Sequence, residues 1–139
     1  MAIRTSGQKA YAGQVNQYIE VHGLKELVAA FRKLDPVLKR ELQKELRQIA
    51  EPAARRAQAM AMNRGLNPYA VKGIRPGSRL GMAVVRISRK ATTKDHPGFG
   101  EWQVRSFLEP AATETMPEAR ERLEAMLDKI ANGFNSGAD

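Results

Sequence analysis

A chain of 139 residues is long enough for one domain with a modest core, and its lack of cysteine excludes disulfides, thiolate-bound zinc and thiol catalysis. No stretch reaches the roughly 18 apolar residues of a membrane-spanning helix, and the first residues lack the apolar segment of a signal peptide. The net charge of +8 favours acidic partners, so we expect one domain without a membrane segment.

The charge is unevenly distributed along the sequence. Residues 67–105 carry eight basic and two acidic side chains, whereas residues 106–139 carry three basic and seven acidic ones. This segregation indicates either contact with nucleic acid or head-to-tail contact between subunits, and solubility alone is the third interpretation.

The N-terminal part predicts an arm, a strand and a helix. Residues 1–17 are polar and show no hydrophobic period, so we predict a flexible arm that becomes ordered only on assembly. Tyr18–Val21 alternates and predicts a short strand, which Gly23 ends. Apolar residues at helical spacing then predict a first helix from Leu24 to Leu34.

A second, long helix is predicted to follow directly. Asp35 suits its N-cap, because Pro36 fits the first helical position and disfavours a helical conformation in the residue before it. Pro52 lies inside the apolar pattern and should kink the helix, because it removes a backbone hydrogen bond and crowds the preceding turn. The predicted buried stripe consists of Leu38, Leu42, Leu46, Ile49, Ala53, Ala57 and Met60.

The middle third changes to short β-prone runs. We predict strands within Tyr69–Arg75, Leu80–Ser88 and Glu101–Ser106, with a hairpin turn at Pro76–Ser78 between the first two. The basic segment Arg89–Gly100 is predicted to be a long loop, and loops of that length in a small domain are usually functional or mobile.

The last element is predicted to be an amphipathic acidic helix. It should start at Met116 or Pro117, with Thr113 or Thr115 as its cap and glutamates near its N-terminus, as the helix dipole favours. The predicted buried stripe is Met116, Ala119, Leu123, Met126, Leu127, Ile130 and Phe134.

The expected fold is an α+β domain over residues 18–134, with a disordered tail at residues 135–139. It comprises two N-terminal helices, the second long and kinked, a small antiparallel β-sheet, and a C-terminal helix packed on the sheet. The angle at which the last helix leaves the sheet is expected to be set by three residues, Phe107, Leu108 and Pro110.

No pattern in the sequence predicts catalysis, a cofactor or a metal, so we expect a protein that is not an enzyme. The glycines beside Phe99 lack the lysine and the helix start of a phosphate-binding loop. His22 and His96 are far apart and have no carboxylates at metal-ligand spacing. Carboxylates pair only on the last helix, at spacings that ion pairs such as Glu118–Arg122 explain.

A row of basic residues is a candidate surface for nucleic-acid phosphates. Only part of the row can share one face of a strand, and no base-reading motif accompanies it, so any binding would be independent of sequence. Trp102 and Phe99 could stack on a base, although a buried Trp102 in the core is the expected arrangement. The row consists of Arg75, Arg79, Arg86, Arg89, Lys90 and Lys94.

Three segments, in this order, resemble a known protein family. The first is IEVHGLKELVAAFRKL, Ile19 to Leu34, where a strand leads into Gly-Leu-x-x-Leu at a helix start. The second is the long helix from Val37 to Ala61, which is rich in alanine towards its end. The third is RSFLEPAATETMPEARERLEAMLDKI, where Phe-Leu-x-Pro-Ala precedes the last helix. Together they resemble the tail-completion, or neck, proteins of long-tailed bacteriophages, of the lambdoid gene-10 type.

The resemblance covers residues 18–133, although residues 63–80 and the GFGEWQ segment depart from the motifs usual in the family. It implies a structural virion protein without catalysis or cofactor, assembled in the host cytoplasm as a homo-oligomeric ring of six or twelve subunits. The ring would join head-connector and tail proteins around the channel through which genomic DNA passes non-specifically.

A closed ring needs heterologous contacts, and the basic middle segment and the acidic last helix are candidates for such a pair. The loop Arg89–Gly100 would project towards the channel or the neighbouring ring. Two alternatives are a sequence-nonspecific nucleic-acid-binding protein that uses residues 67–105, and an assembly or chaperone factor absent from the final particle. The expected contact residues are Arg75, Arg79, Arg89, Lys90, Lys94, Phe107, Leu108, Pro110, Glu114, Glu118 and Glu121.

Overall fold

The structure is a computed structural model that describes residues 4–6, 18–87 and 98–137, with burial described for residues 19–87 and 98–132. Most of the predicted arm and most of the loop Arg89–Gly100 lie outside the described residues. Arg89, Lys90 and Lys94 are among them, so their predicted roles stay predictions.

The described residues combine an antiparallel sheet with a layer of helices. The strands are β1 (Arg4–Ser6), β2 (Tyr18–Gly23), β3 (Arg75–Arg79) and β4 (Met82–Arg86), in the order β1-β2-β4-β3. The helices are α1 (Lys25–Arg32), α2 (Pro36–Asn63), α3 (Pro68–Lys72), α4 (Phe99–Gln103) and α5 (Glu109–Gly137). The predicted α+β class and small antiparallel sheet are confirmed.

Both predicted N-terminal helices are present. Asp35 caps α2 as expected, because its side chain accepts a 2.9 Å hydrogen bond from the backbone N–H of Leu38. The helix continues through Pro52 and ends at Asn63. Gly65, just beyond the C-cap, has a φ of +78°, the left-handed conformation that glycine adopts without strain. The N–H of Leu66 bonds back to the carbonyl of Ala61, which satisfies one of the last carbonyls of the helix.

The side chains on the buried face of α2 become smaller along the helix. Leu42, Leu46 and Ile49 fill the core in its first half, as predicted, and small alanines replace them in its second half. Small side chains allow a close approach of the sheet, and β3 and β4 pack against this helix. The buried alanines are Ala50, Ala53, Ala54, Ala57 and Ala61.

The predicted strand at Tyr69–Arg75 is wrong over most of its length. Pro68 starts the short helix α3, and the side chain of Asn67 accepts the N–H of Tyr69 as its cap. The strand begins only at Arg75, and it includes the predicted turn Pro76–Ser78. Proline is tolerated there because β3 is an edge strand.

The hairpin turn lies instead at Leu80 and Gly81. Both residues have positive φ, +39° and +79°, as a two-residue turn between twisted antiparallel strands requires. A Cβ at Gly81 would lie 3.0 Å from the Cα of Val28, so the turn packs closely against α1. The glycine thus serves both the turn geometry and the contact with the helix.

The predicted strand Glu101–Ser106 is also wrong, because residues 99–137 form one helical stretch. A turn of π-helix over Val104–Leu108 joins α4 to α5, and the N–H of Glu109 bonds to the carbonyl of Val104. The apolar residues recur every three or four positions, which is the helical period. The buried positions that show it are Val104, Phe107, Leu108, Ala111 and Ala112.

The last helix consequently starts earlier than predicted, and neither Thr113 nor Thr115 caps it. The hydroxyl of Thr115 instead donates to the carbonyl of Ala111, 2.9 Å away, inside the helix. Pro110 lacks an N–H and crowds the carbonyl four residues earlier, at Ser106, and the wide π turn includes that position. The predicted packing of this helix is confirmed, because α5 contacts both β2 and α2.

Candidate interaction surface on the outer sheet face

The helices pack against one face of the sheet. The centre of the opposite face is also buried, because Val84 is 0% exposed there. Ala83 and Val85 of β4 point to the helices and belong to the core, whereas Val84 lies on the opposite face. We call that opposite face the outer sheet face. Its positions on β3 are Arg75, Gly77 and Arg79, which pair with Arg86, Val84 and Met82 on β4.

Three arginines therefore share the outer sheet face, and all three are exposed. The Nη2 of Arg86 donates to the carbonyl of Ser78 at 3.1 Å, and its guanidinium lies over Gly77, where a Cβ would come within 3.4 Å of it. The Nε of Arg75 donates to the carbonyl of Lys72 at 3.3 Å. Backbone carbonyls thus orient these two cations while leaving their charges uncompensated by these bonds.

One carboxylate lies on the same face. Glu20 of β2 pairs with Val84 and is buried, with 7% of its surface exposed. A bulge follows between Glu20 and His22, and His22 pairs with Ala83 on the core face. The bulge therefore separates an acidic group on the outer sheet face from an imidazole in the core.

Apart from Glu109 in the first turn, the acidic residues of α5 divide into two sets. Glu114 forms an ion pair within the subunit, in which its carboxylate accepts a 2.9 Å hydrogen bond from Arg56 of α2. Glu118 pairs with Arg122 at 3.2 Å, as the sequence spacing predicts, and Arg120 pairs with Glu124. The third predicted contact residue, Glu121, is exposed and belongs to the second set.

Glu121 and Asp128 form this second set, which we call the acidic ridge of α5. They are seven residues apart, which places them on the same side of the helix, and both are exposed. Within the described residues neither takes part in an ion pair. Asp128 was not predicted from the sequence, although its seven-residue spacing from Glu121 indicates that the two lie on one side of a helix.

The predicted joint at Phe107, Leu108 and Pro110 is corrected by the structure. Phe107 and Leu108 are 1% and 0% exposed, so they are core residues, and α4 and the π turn, rather than a strand, lie directly before α5. Pro110 is exposed in the first turn of α5. The reason is the continuous helical period, which makes this segment a turn within one helical stretch.

Trp102 also differs from expectation, since it is 41% exposed. Its ring stacks on Phe99, with centroids 5.8 Å apart, and meets the edge of Phe107 at 5.1 Å. These contacts hold one side of the indole against the protein. The amide of Gln103, the next residue, is fully buried and has no hydrogen-bond partner within the described residues.

Two ionisable groups away from this face, His22 and Lys129, have pKa values shifted by burial or by an ion pair. Burial lowers the pKa of His22 to about 4, so its imidazole is neutral near pH 7. A 2.6 Å hydrogen bond to Glu45 raises the pKa of Lys129 and links α5 to α2. No group of three or more potential metal ligands occurs among the described residues, and no helix in that part of the chain could cross a membrane.

Comparison with known proteins gave no match, because no family model, curated protein or solved structure is detectably similar to the chain.

Proposed function

We propose that this protein is a ring-forming structural component of the neck of a long-tailed phage, where it joins tail to head around the DNA channel. The observation that carries the proposal is how the three resembling segments fit together. Ile19–Leu34 forms β2 and α1, Val37–Ala61 forms most of α2, and Arg105–Ile130 forms most of the π turn and α5.

These three segments pack against one another and supply most of the core. Phe31, Leu46, Phe107 and Leu123 are among the largest buried side chains, and each belongs to one of the segments. The departing residues 63–80 supply α3 and the edge strand β3. The resemblance therefore concerns residues that build one packing framework, and the departures fall mainly at an edge.

The proposal is tested by the state of assembly of the full chain. Mass photometry across protein concentration and salt, followed by electron microscopy of negatively stained samples, should find salt-sensitive association that leads to closed rings of six or twelve subunits. A chain that stays monomeric at every concentration and salt, and that also fails to bind isolated phage heads or tails, would contradict it.

A second function is favoured by one specific observation, the shared position of Arg75, Arg79 and Arg86 on the outer sheet face. Three phosphate contacts would make the logarithm of the DNA-binding constant fall with the logarithm of salt with a slope of about −3. Filter binding across a salt series measures this slope. Useful affinity at physiological salt with that slope would favour the nucleic-acid-binding protein over the ring.

A further inference from the structure

We propose that the solvent face of α2 binds the phosphate backbone of a nucleic-acid duplex through three basic residues, Arg40, Lys44 and Arg47. We call these three residues the basic ridge of α2. The ridge is separate from the outer sheet face, and the inference does not depend on the formation of a ring.

The helical period places the three basic residues together. Arg40, Lys44 and Arg47 are spaced four and three residues apart, so they lie on one side of α2. Leu42 and Leu46, which are buried in the core, lie on the opposite side of the same turns. All three basic side chains are exposed, and among the described residues none of them takes part in a hydrogen bond or an ion pair.

The acidic residues of the same helix have partners away from the ridge. Glu45 accepts a 2.6 Å hydrogen bond from Lys129 of α5, and this bond, together with the charges of Glu45 and Glu41, raises the pKa of that lysine. These two carboxylates therefore lie towards α5. Glu51, one turn beyond the ridge, forms an ion pair with Arg55. The ridge consequently keeps a local excess of positive charge.

The length of the ridge fits the repeat of a phosphate backbone. Its three residues span seven positions, which correspond to about 10 Å along the helix axis. Each strand of duplex DNA carries one phosphate per roughly 3.4 Å of axis, so about three phosphates of one strand occupy the same length. Three cations therefore meet about three anions without any change in the helix.

The lack of large apolar groups around the ridge favours a duplex over other acidic partners. Val37 is the one exposed large hydrophobic residue in this half of α2 among the described residues. A protein interface has an apolar centre, a membrane-binding helix buries an apolar face, and single strands stack their bases on aromatic rings. Contact with the phosphates of a duplex requires none of these features.

Binding to short labelled duplexes of DNA and of RNA, measured by fluorescence anisotropy between about 50 and 200 mM salt, tests the inference. Three phosphate contacts contribute about −2.7 to the slope of the logarithm of the binding constant against the logarithm of salt, which is about a 40-fold loss of affinity over this range. A ridge variant with Arg40→Ala, Lys44→Ala and Arg47→Ala should lack this contribution. Each single substitution should reduce the slope by about 0.9.

A matched control makes the same change of net charge at arginines that already have partners. It carries Arg105→Ala, Arg120→Ala and Arg122→Ala, three exposed helical positions that each form an ion pair with a glutamate. This control should keep the wild-type slope. Alanine suits an exposed helical position, and circular dichroism melts check that both variants are folded before binding is interpreted.

The outcomes separate this inference from the proposed function. Loss of the slope in the ridge variant alone supports the inference, and loss on only one of the two duplexes identifies DNA or RNA as the partner. Equal losses in the ridge variant and the control show an effect of net charge and overturn it. A wild type that binds neither duplex at low salt overturns it without affecting the ring.

Two further results assign the binding or the ridge differently. Unchanged duplex binding with loss of self-association in the ridge variant makes the ridge a subunit contact and overturns the inference. Loss of the slope in a variant with Arg75→Gln and Arg86→Gln, but not in the ridge variant, moves the binding to the outer sheet face and also overturns it. Duplex binding by a chain that never forms rings contradicts the proposed function and supports the inference.

Discussion

His22 should make the stability of this fold depend on pH between about 4 and 6.5. Its side chain is 0% exposed, and burial lowers its pKa from the ordinary 6.5 to about 4. Between these values the unfolded chain binds a proton at this position and the folded chain does not. The free energy of unfolding therefore falls as the pH falls through this window, and the contribution of the neutral imidazole is fully present above pH 6.5.

The size of the effect follows from the two pKa values. A shift of about 2.5 units corresponds to about 3 kcal/mol once the pH reaches the folded-state pKa. At pH 5 the loss relative to pH 7.5 is about 2 kcal/mol, because the unfolded imidazole is then almost fully protonated. That is a large part of the 5–15 kcal/mol of total stability that is typical of a domain, so it should be measurable.

The assay is urea unfolding of the wild type and His22→Gln at several pH values between 4.5 and 7.5. The comparison uses the difference between the two proteins, because carboxylates titrating at low pH affect both equally. His96→Gln, at the other histidine, is the control and should keep the wild-type dependence. Parallel curves for the wild type and His22→Gln would refute the assignment of this pH dependence to His22.

Three further predictions concern local structure, each measured as the urea-unfolding free energy at pH 7.5. Gly81→Ala should lower the free energy of unfolding by at least about 2 kcal/mol, because the added Cβ has both left-handed strain and a close backbone contact. Gly65→Ala has the same strain but open space around it, so it should lower the free energy by roughly 1 kcal/mol. Equal losses would contradict the packed turn. Gln103→Met should raise stability by about 1 kcal/mol by removing a buried amide without a partner in the described residues, and a loss would show that the amide is satisfied. Asp35→Ala should cost about 1 kcal/mol, while Asp35→Asn keeps the cap and should be nearly neutral; equal costs would argue against a cap.

The N-terminal half of the fold was predictable because its signals are local. The cap at Asp35, the proline after it, and the leucines at helical spacing all act within a few residues of one another. The error at Tyr69–Arg75 has a similar local source. Pro68 is a helix-start signal with Asn67 as its cap, and the β-propensity of the following residues obscured it.

The errors near Trp102 have a different cause. Glu101–Ser106 alternates over a short distance, but Val104, Phe107 and Leu108 continue a helical period that becomes clear only in a longer window. The π turn itself depends on how this segment fits against α2 and β2, which the local sequence does not encode. Predicting that Arg75, Arg79 and Arg86 share one face requires the correct strand register. The turn predicted at Pro76–Ser78 gave a different register.

The bulge in β2 has a consequence for how this chain tolerates changes of length. Val21 is the extra residue between Glu20 and His22, and it is buried in the core. A strand lacking Val21 would have regular alternation, and Glu20 would still face outwards while His22 still faced inwards. A one-residue deletion at that position removes core volume but preserves both orientations. Related chains one residue shorter in β2 should therefore be aligned with their gap at Val21.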